Sequence, residues 1–81
     1  MSVQYITREE ARRMVLERLR QWVASLPPAE RMLKIVWGRY ILSPSDMVRE
    51  VELGSEVGWA IVAAELRKIS ETVGVTYIVS G

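Results

Sequence analysis

Few side chains in this sequence could carry out acid–base or metal chemistry. Its 81 residues include no histidine and no cysteine, which removes the usual general base, the commonest metal ligand and every thiolate. Carboxylates, two lysines and three tyrosines remain. Asp46 and Glu50 are four residues apart and would share a helix face, but their neighbours form no pocket and Asp46 occupies a capping position. We therefore expect no enzymatic activity, no cofactor, no metal site and no small-molecule substrate.

The basic residues are the next candidates, because arginine and lysine neutralise phosphates along a nucleic-acid backbone. The net charge is only +1, yet residues 1–42 carry +4 and residues 43–81 carry −3. Five cations of the first half have no obvious acidic partner four residues away along a helix, and two more lie in a later helical stretch. The predicted nucleic-acid contacts are Arg8, Arg12, Arg31, Lys34, Arg39, Arg67 and Lys68. The competing interpretation is a solvated face whose arginine stems cover apolar surface.

Aromatic residues and glycines could also mark a binding site. Base stacking uses exposed aromatic rings, but the three tryptophans lie on apolar faces at helical spacing, which favours core packing: Trp22, Trp37 and Trp59. The three tyrosines suit interface anchoring better than base stacking: Tyr5, Tyr40 and Tyr77. The glycines form no phosphate-binding loop. Gly58 stands near the start of a long helical stretch, where a missing side chain would let another backbone approach closely.

The first half of the chain reads as a short strand followed by two helices. Residues 3–6 alternate in the manner of a strand. Thr7 and Glu10 form a capping box that begins helix one, and this helix continues to Ser25, before Leu26-Pro27-Pro28 ends it.

Helix two is predicted from Pro28 to about Gly38, because apolar residues from Ala29 to Ile41 follow helical spacing. A strand through Ile35 and Trp37 competes with this helix, but it would leave Arg39 on the apolar face. A short extended piece, residues 40–42, follows.

The second half contains two helices and a final strand. Ser43 is a helix N-cap with proline behind it, which predicts helix three over residues 44–52. The stretch Ser55 to Val73 reads as the central helix, apolar round most of its circumference and therefore wrapped by its neighbours. Gly74 ends it. Residues 75–79 form a strand whose partner is the strand at 3–6, the extended piece at 40–42, or the same strand of a second chain.

These elements predict a single domain, residues 1–81, that is mainly α with a small β component. The length allows one small core, and no apolar run reaches the roughly 20 residues that span a bilayer. The first ten residues lack a secretory pattern, so we expect a cytoplasmic protein without a membrane partner. Nine arginines against two lysines are typical of a thermophilic source or of a GC-rich genome.

From Pro28 onward, the order of elements resembles a winged-helix domain. The residues that carry the resemblance are YILSPSD at the start of helix three and LRKISETVGVTYIVS at the exit from the central helix. The resemblance implies a winged-helix-like core, residues 28–81, with residues 1–27 as an N-terminal helical extension. It also implies that the long helix enters the DNA major groove, because helices of that family usually do so.

Two functions follow from these patterns. The first is a small regulatory or architectural protein that binds nucleic acid, with double-stranded DNA as the expected partner. The second is a protein-interaction module that forms a homodimer or docks on a larger protein through its apolar surface and C-terminal strand. The expected interface residues of the second function are Val75, Tyr77 and Val79. The acidic residues of the central helix argue against phosphate contacts there and keep the second function open.

Overall fold

Four helices and four short strands make up residues 2–80, the part of the chain that the computed structural model describes. In chain order they are β1 (Ser2–Thr7), α1 (Arg8–Ser25), α2 (Pro28–Arg31), β2 (Ile35–Trp37), β3 (Tyr40–Leu42), α3 (Pro44–Leu53), α4 (Glu56–Val73) and β4 (Val75–Ser80). The predicted mainly α class with a small β component is confirmed. None of the helices within residues 2–80 is long and apolar enough to cross a membrane.

Helix α1 begins where the capping box predicts. The Thr7 hydroxyl accepts the Glu10 backbone N–H at 3.0 Å, and the Glu10 carboxylate accepts the Thr7 N–H at 2.9 Å. These two bonds satisfy N–H groups that have no partner within the helix. The buried face of α1 consists of Ala11, Val15, Leu16 and Leu19.

The prediction of a long helix two is wrong. The helix α2 covers only Pro28–Arg31, and β2 pairs antiparallel with β3 through Val36↔Ile41 and Trp37↔Tyr40. The hairpin turn consists of Gly38 and Arg39, and Gly38 has the positive φ of +59° that two-residue turns require. Arg39 therefore lies in the turn and not on an apolar strand face, which removes the objection to the strand.

Residues assigned to the buried face of that longer helix are exposed instead. Met32, Leu33, Val36 and Ile41 have between 61% and 77% of their surface in solvent. We call these four residues the hairpin patch. Their spacing fits a helix by coincidence, because Val36 and Ile41 are in fact cross-strand neighbours on one side of the hairpin.

The pair α3–α4 is built around two caps and one close approach. Ser43 caps α3 in a capping box with Asp46, and Ser55 caps α4 by accepting the Gly58 N–H at 3.1 Å. Gly54, with φ +66°, turns the chain between the helices. Gly58 lies against the α3 backbone: a Cβ placed there would stand 2.1 Å from the Glu50 carbonyl oxygen. The predicted close approach at Gly58 is confirmed.

The cap of α3 makes stability depend on pH. The ammonium of Lys34, together with the backbone N–H and hydroxyl of Ser43, lowers the pKa of Asp46 from 3.8 to about 2. A lowered pKa means that the carboxylate stabilises the fold above pH 4 and that this stability is lost as the pH falls towards 2.

Replacing Asp46 by asparagine should therefore cost about 1 kcal/mol at pH 7, a value reduced because Lys34 is exposed. Most of the cost should be lost at pH 2, where Asp46 of the native protein is about half protonated. Urea titrations of both proteins at pH 7, 4 and 2 measure this difference. If the difference in the free energy of unfolding between the two proteins is the same at all three pH values, the ionised form of Asp46 does not stabilise the fold.

Helix α4 supplies much of the core, but it is covered on one side only. Its buried residues are Gly58, Ile61, Val62, Glu65 and Leu66. The prediction that α4 is wrapped by its neighbours is wrong, because Ala60, Ala63 and Arg67 face solvent. The small exposed alanines make the sequence look apolar all round without requiring burial.

The strands β1 and β4 form a parallel pair in register, from Ser2↔Val75 to Thr7↔Ser80. The partner of the C-terminal strand is thus the first of the three predicted candidates. On the inner face of this sheet, Ile6 joins the core and Tyr77 packs against it. The core itself joins this sheet face to α1, α3 and α4 through Val15, Val51 and Ile61, all of which are fully buried.

Candidate interaction surface

The outer face of the β1–β4 sheet is apolar and exposed. Successive strand residues point to opposite faces, and the register places Val3 and Tyr5 beside Ile78, on the side away from the core. The exposed fractions are 57% for Val3, 72% for Tyr5 and 41% for Ile78. We call these three residues the outer sheet face.

The two strands of this sheet carry neither of two common protections of an edge strand, a charged side chain or a proline. The segments SVQYIT and VTYIVS contain no charged residue and no proline. Within residues 2–80 each of the two strands pairs on one side only, because the sheet has just two strands. A neutral, regular edge of six residues is a ready template for a further strand.

The three residues expected at an interface lie on the inner side of the same sheet. Tyr77 packs against the core, and Val75 is half-buried beside it. Val79 is 41% exposed. The sequence pattern points to the strand β4 but not to the residues of the outer sheet face. Their signal is the alternation of Val3 and Tyr5, which becomes informative once β1 is known to cover the core with its other face.

Two of the seven predicted nucleic-acid contacts, Arg12 and Arg31, form hydrogen bonds with other groups of the protein. The guanidinium of Arg12 binds the Glu9 carboxylate at 2.8 Å and the Glu52 carbonyl oxygen at 3.1 Å. Arg31 donates to the carbonyl oxygens of Leu26 at 3.0 Å and Ala24 at 3.1 Å. Arg31 therefore caps the C-terminal end of α1, where carbonyls lack helical partners.

Both lysines are held in ion pairs. Lys34 binds Asp46, the acidic cap of α3. Lys68 lies 3.3 Å from a Glu65 oxygen on the same helix. These contacts reduce the positive charge that either lysine presents to a polyanion, although both ammonium groups remain largely exposed.

The other three cations have no ion pair within residues 2–80. Arg8 lies over the Trp59 ring, 4.2 Å from its centroid, and Arg39 lies 5.6 Å from the centroid of Tyr40. Arg67 is exposed on α4. The three arginines belong to three different elements: the start of α1, the hairpin turn and α4.

The paired carboxylates of α3 have structural partners. Asp46 accepts from Ser43 and Lys34, and Glu50 accepts the Ser55 hydroxyl. These bonds connect α3 to its own cap and to the first turn of α4. Both carboxylates therefore stabilise the helix starts of this helix pair.

A pocket of about 450 Å³ lies where α1, β2, α3 and α4 meet. Its apolar lining consists of Leu19, Trp22, Ile35, Trp37 and Met47. Trp22, predicted to lie in the core, is 39% exposed at this pocket, and Trp37 is half-buried.

Three charged side chains complete the pocket: Arg18, Glu65 and Lys68. The Glu65 side chain is only 11% exposed, and its two oxygens face different cations. Arg18 Nε lies 3.5 Å from Glu65 Oε2, and Lys68 Nζ lies 3.3 Å from Glu65 Oε1. The Glu65–Lys68 pair has the i,i+3 spacing of helix neighbours, but the contact with Arg18 leaves no local signal in the sequence, because α1 and α4 are distant along the chain.

No protein-family model matches the chain, and neither the curated proteins nor the solved structures contain a match. The resemblance to a winged-helix domain therefore stays a prediction.

Proposed function

We propose that this protein is an interaction module that self-associates by adding the β1 strand of a second copy to its own. The observation that carries the proposal is the β1–β4 sheet, whose strands contain no charge and no proline and whose outer face exposes apolar side chains. Self-association would join two two-stranded sheets into one four-stranded sheet.

The physical reason is that a two-stranded parallel sheet is rarely left open. Parallel sheets are usually covered on both faces, and two strands alone are marginally stable in water. Here only the inner face is covered, by the side of the core that contains Ile6 and Tyr77. A second copy would satisfy edge backbone groups and cover part of Val3 and Tyr5.

Composition favours a second copy and the β1 edge. In a symmetric dimer the same surface of both copies forms the contact. Any charge on that surface would therefore face an identical charge, and a strand without charge avoids this repulsion. β1 contains no charge, and five of its six residues are exposed. The hairpin patch is the competing apolar surface, but Lys34 and Arg39 flank it and β2 and β3 are three residues long.

Static light scattering over a concentration series up to about 100 µM tests the proposal, because a dimer becomes more populated as concentration rises. The native protein should approach twice the monomer mass. Tyr5→Lys should remain a monomer, because each copy would place an ammonium group in the new sheet. Val36→Lys is the matched control: it introduces the same charge at an exposed strand position outside the β1–β4 sheet, and it should dimerise normally.

The outcomes separate the alternatives. A native protein that stays monomeric throughout the series contradicts self-association. Loss of the dimer in Val36→Lys with retention in Tyr5→Lys would place the contact on the hairpin patch and contradict the β1 site. Circular dichroism of both variants establishes that the fold is intact.

Nucleic-acid binding is the second candidate, and a specific observation favours it. Three of the seven predicted contacts, Arg8, Arg39 and Arg67, have no ion pair within the described residues and are exposed. Such cations are available to phosphates and would contribute to a salt-dependent affinity.

Gel retardation of generic double-stranded DNA at low salt and at about 150 mM salt tests this candidate. Binding that weakens with salt, and that the Arg39→Gln and Arg67→Gln variants reduce, would support it. The absence of binding below tens of micromolar at either salt concentration would contradict it.

A further inference from the structure

We propose that the pocket between α1, β2, α3 and α4 binds a small amphipathic anion, an aromatic body that ends in a carboxylate. The pocket combines an apolar interior with two cations beside a single acidic group. This inference is independent of self-association, because no residue of β1 or β4 lines the pocket.

The size and lining of the pocket fit an aromatic body. Its volume of about 450 Å³ lies within the range of small-molecule sites, which are mostly apolar with a few polar groups that fix orientation. Trp22 and Trp37 both line it. Flat indole rings favour another aromatic ring by stacked or edge-to-face contact.

The charged group beside this lining selects an anion. Glu65 is the one carboxylate among the lining residues that the structure describes, and it faces both Arg18 and Lys68. The cluster therefore carries one net positive charge, and a ligand carboxylate would balance it. A cationic ligand would instead compete with two existing cations for Glu65.

Arg18 and Lys68 also carry more N–H donors than their contacts with Glu65 use. A guanidinium offers five N–H groups and an ammonium offers three, whereas Glu65 lies within 4 Å of one nitrogen on each. The side chains of Arg18 and Lys68 are 48% and 61% exposed. They can accept a ligand carboxylate while Glu65 keeps them at the pocket.

Two-dimensional NMR of the tryptophan indole N–H groups tests this inference, with naphthoate as the probe at up to about 5 mM. The protein has three tryptophans, of which Trp22 and Trp37 line the pocket and Trp59 lies under Arg8. We expect saturable shifts of the Trp22 and Trp37 signals, with the Trp59 signal unchanged. Naphthalenemethanol, which lacks the charge, should bind at least threefold more weakly, and naphthalenemethylamine more weakly still.

Charge-removing variants identify the anion-binding groups. Arg18→Gln and Lys68→Gln should each weaken naphthoate binding about three- to fivefold, as expected for partly exposed ion pairs, and leave naphthalenemethanol binding unchanged. Arg13→Gln is the matched control, because it removes an exposed α1 arginine that does not line the pocket.

Three results would overturn the inference: no shift of Trp22 and Trp37, equal shifts at Trp59, or equal affinity for the acid, the alcohol and the amine.

A peptide whose last residue is aromatic carries the same chemistry as a free aromatic acid. An acetylated tripeptide that ends in phenylalanine therefore forms a second arm. Tighter binding of hydrocinnamate than of the peptide would assign the pocket to a free acid, and the reverse would assign it to a chain end.

Discussion

Replacing Gly58 by alanine should destabilise the protein by about 3 kcal/mol. The new methyl group would stand 2.1 Å from the Glu50 carbonyl oxygen and 3.1 Å from the Val51 nitrogen. Both atoms belong to the α3 backbone, which cannot rotate away as a side chain does. The two helices must separate to accommodate the methyl group, and overpacking of this kind costs about 1–3 kcal/mol or more.

The predicted change in the free energy of unfolding has the opposite sign to the change expected from helix propensity. Helix propensity alone would make alanine more stable than glycine by roughly 1 kcal/mol. Urea denaturation measures the net result, and Ala60→Gly, at an exposed position of the same helix, calibrates the propensity term. A Gly58→Ala variant as stable as the native protein would show that α3 and α4 are not in close backbone contact.

Replacing Ile61 by alanine should cost about 3 to 4 kcal/mol. Ile61 has no exposed surface and lies in the first half of α4, within the cluster that joins α1, α3 and α4. Its truncation removes apolar contacts and leaves a cavity that rigid helices fill only in part. A domain of this length has a total stability of roughly 4–12 kcal/mol, so this one change removes a large share of it.

Ile41→Ala is the matched control for Ile61→Ala, since it makes the same change at a residue that is 67% exposed. The control should cost less than about 1 kcal/mol. Thermal and urea unfolding of both variants measure the difference. Equal losses at the two positions would mean that the inner face of α4 is not the centre of the core.

The helix starts were predictable because their signals are local. Thr7, Ser43 and Ser55 cap their helices through bonds to residues three positions later, and Gly74 ends α4 in the left-handed conformation. Such contacts depend only on neighbours in sequence. The close approach at Gly58 was predictable for a related reason, since the two-residue connection before α4, residues 54–55, folds it back onto α3.

The hairpin could not be predicted from periodicity. The apolar residues between Ala29 and Ile41 satisfy a helical repeat, although most of them end on exposed surface. What decides the structure is Gly38, whose positive φ reverses the chain and moves Arg39 out of both strands. The pattern of apolar residues alone does not contain that information.

The candidate surfaces depend on contacts between distant parts of the chain. The outer sheet face exists because β1 pairs with β4 across the whole sequence. The pocket exists because Arg18 of α1 reaches Glu65 of α4. The sequence offers the β1–β4 pairing only as one of three alternatives for the C-terminal strand, and the contact between Arg18 and Glu65 leaves no signal in it. The predicted cations show the converse effect, since Arg12, Arg31 and Lys34 acquire partners that helical spacing does not reveal. Lys68 differs, because its partner Glu65 is three residues earlier on the same helix.

Thiol crosslinking is the most direct test of β1 self-association, because the chain has no cysteine of its own. Tyr5→Cys and Val36→Cys each introduce one exposed thiol. In paired β1 strands the two thiols introduced by Tyr5→Cys would lie within the roughly 8 Å that separates direct and diagonal neighbours. A thiol–thiol crosslinker of that length should convert Tyr5→Cys, and not Val36→Cys, into a covalent dimer. Equal crosslinking of the two variants, or none in Tyr5→Cys, would contradict the proposal.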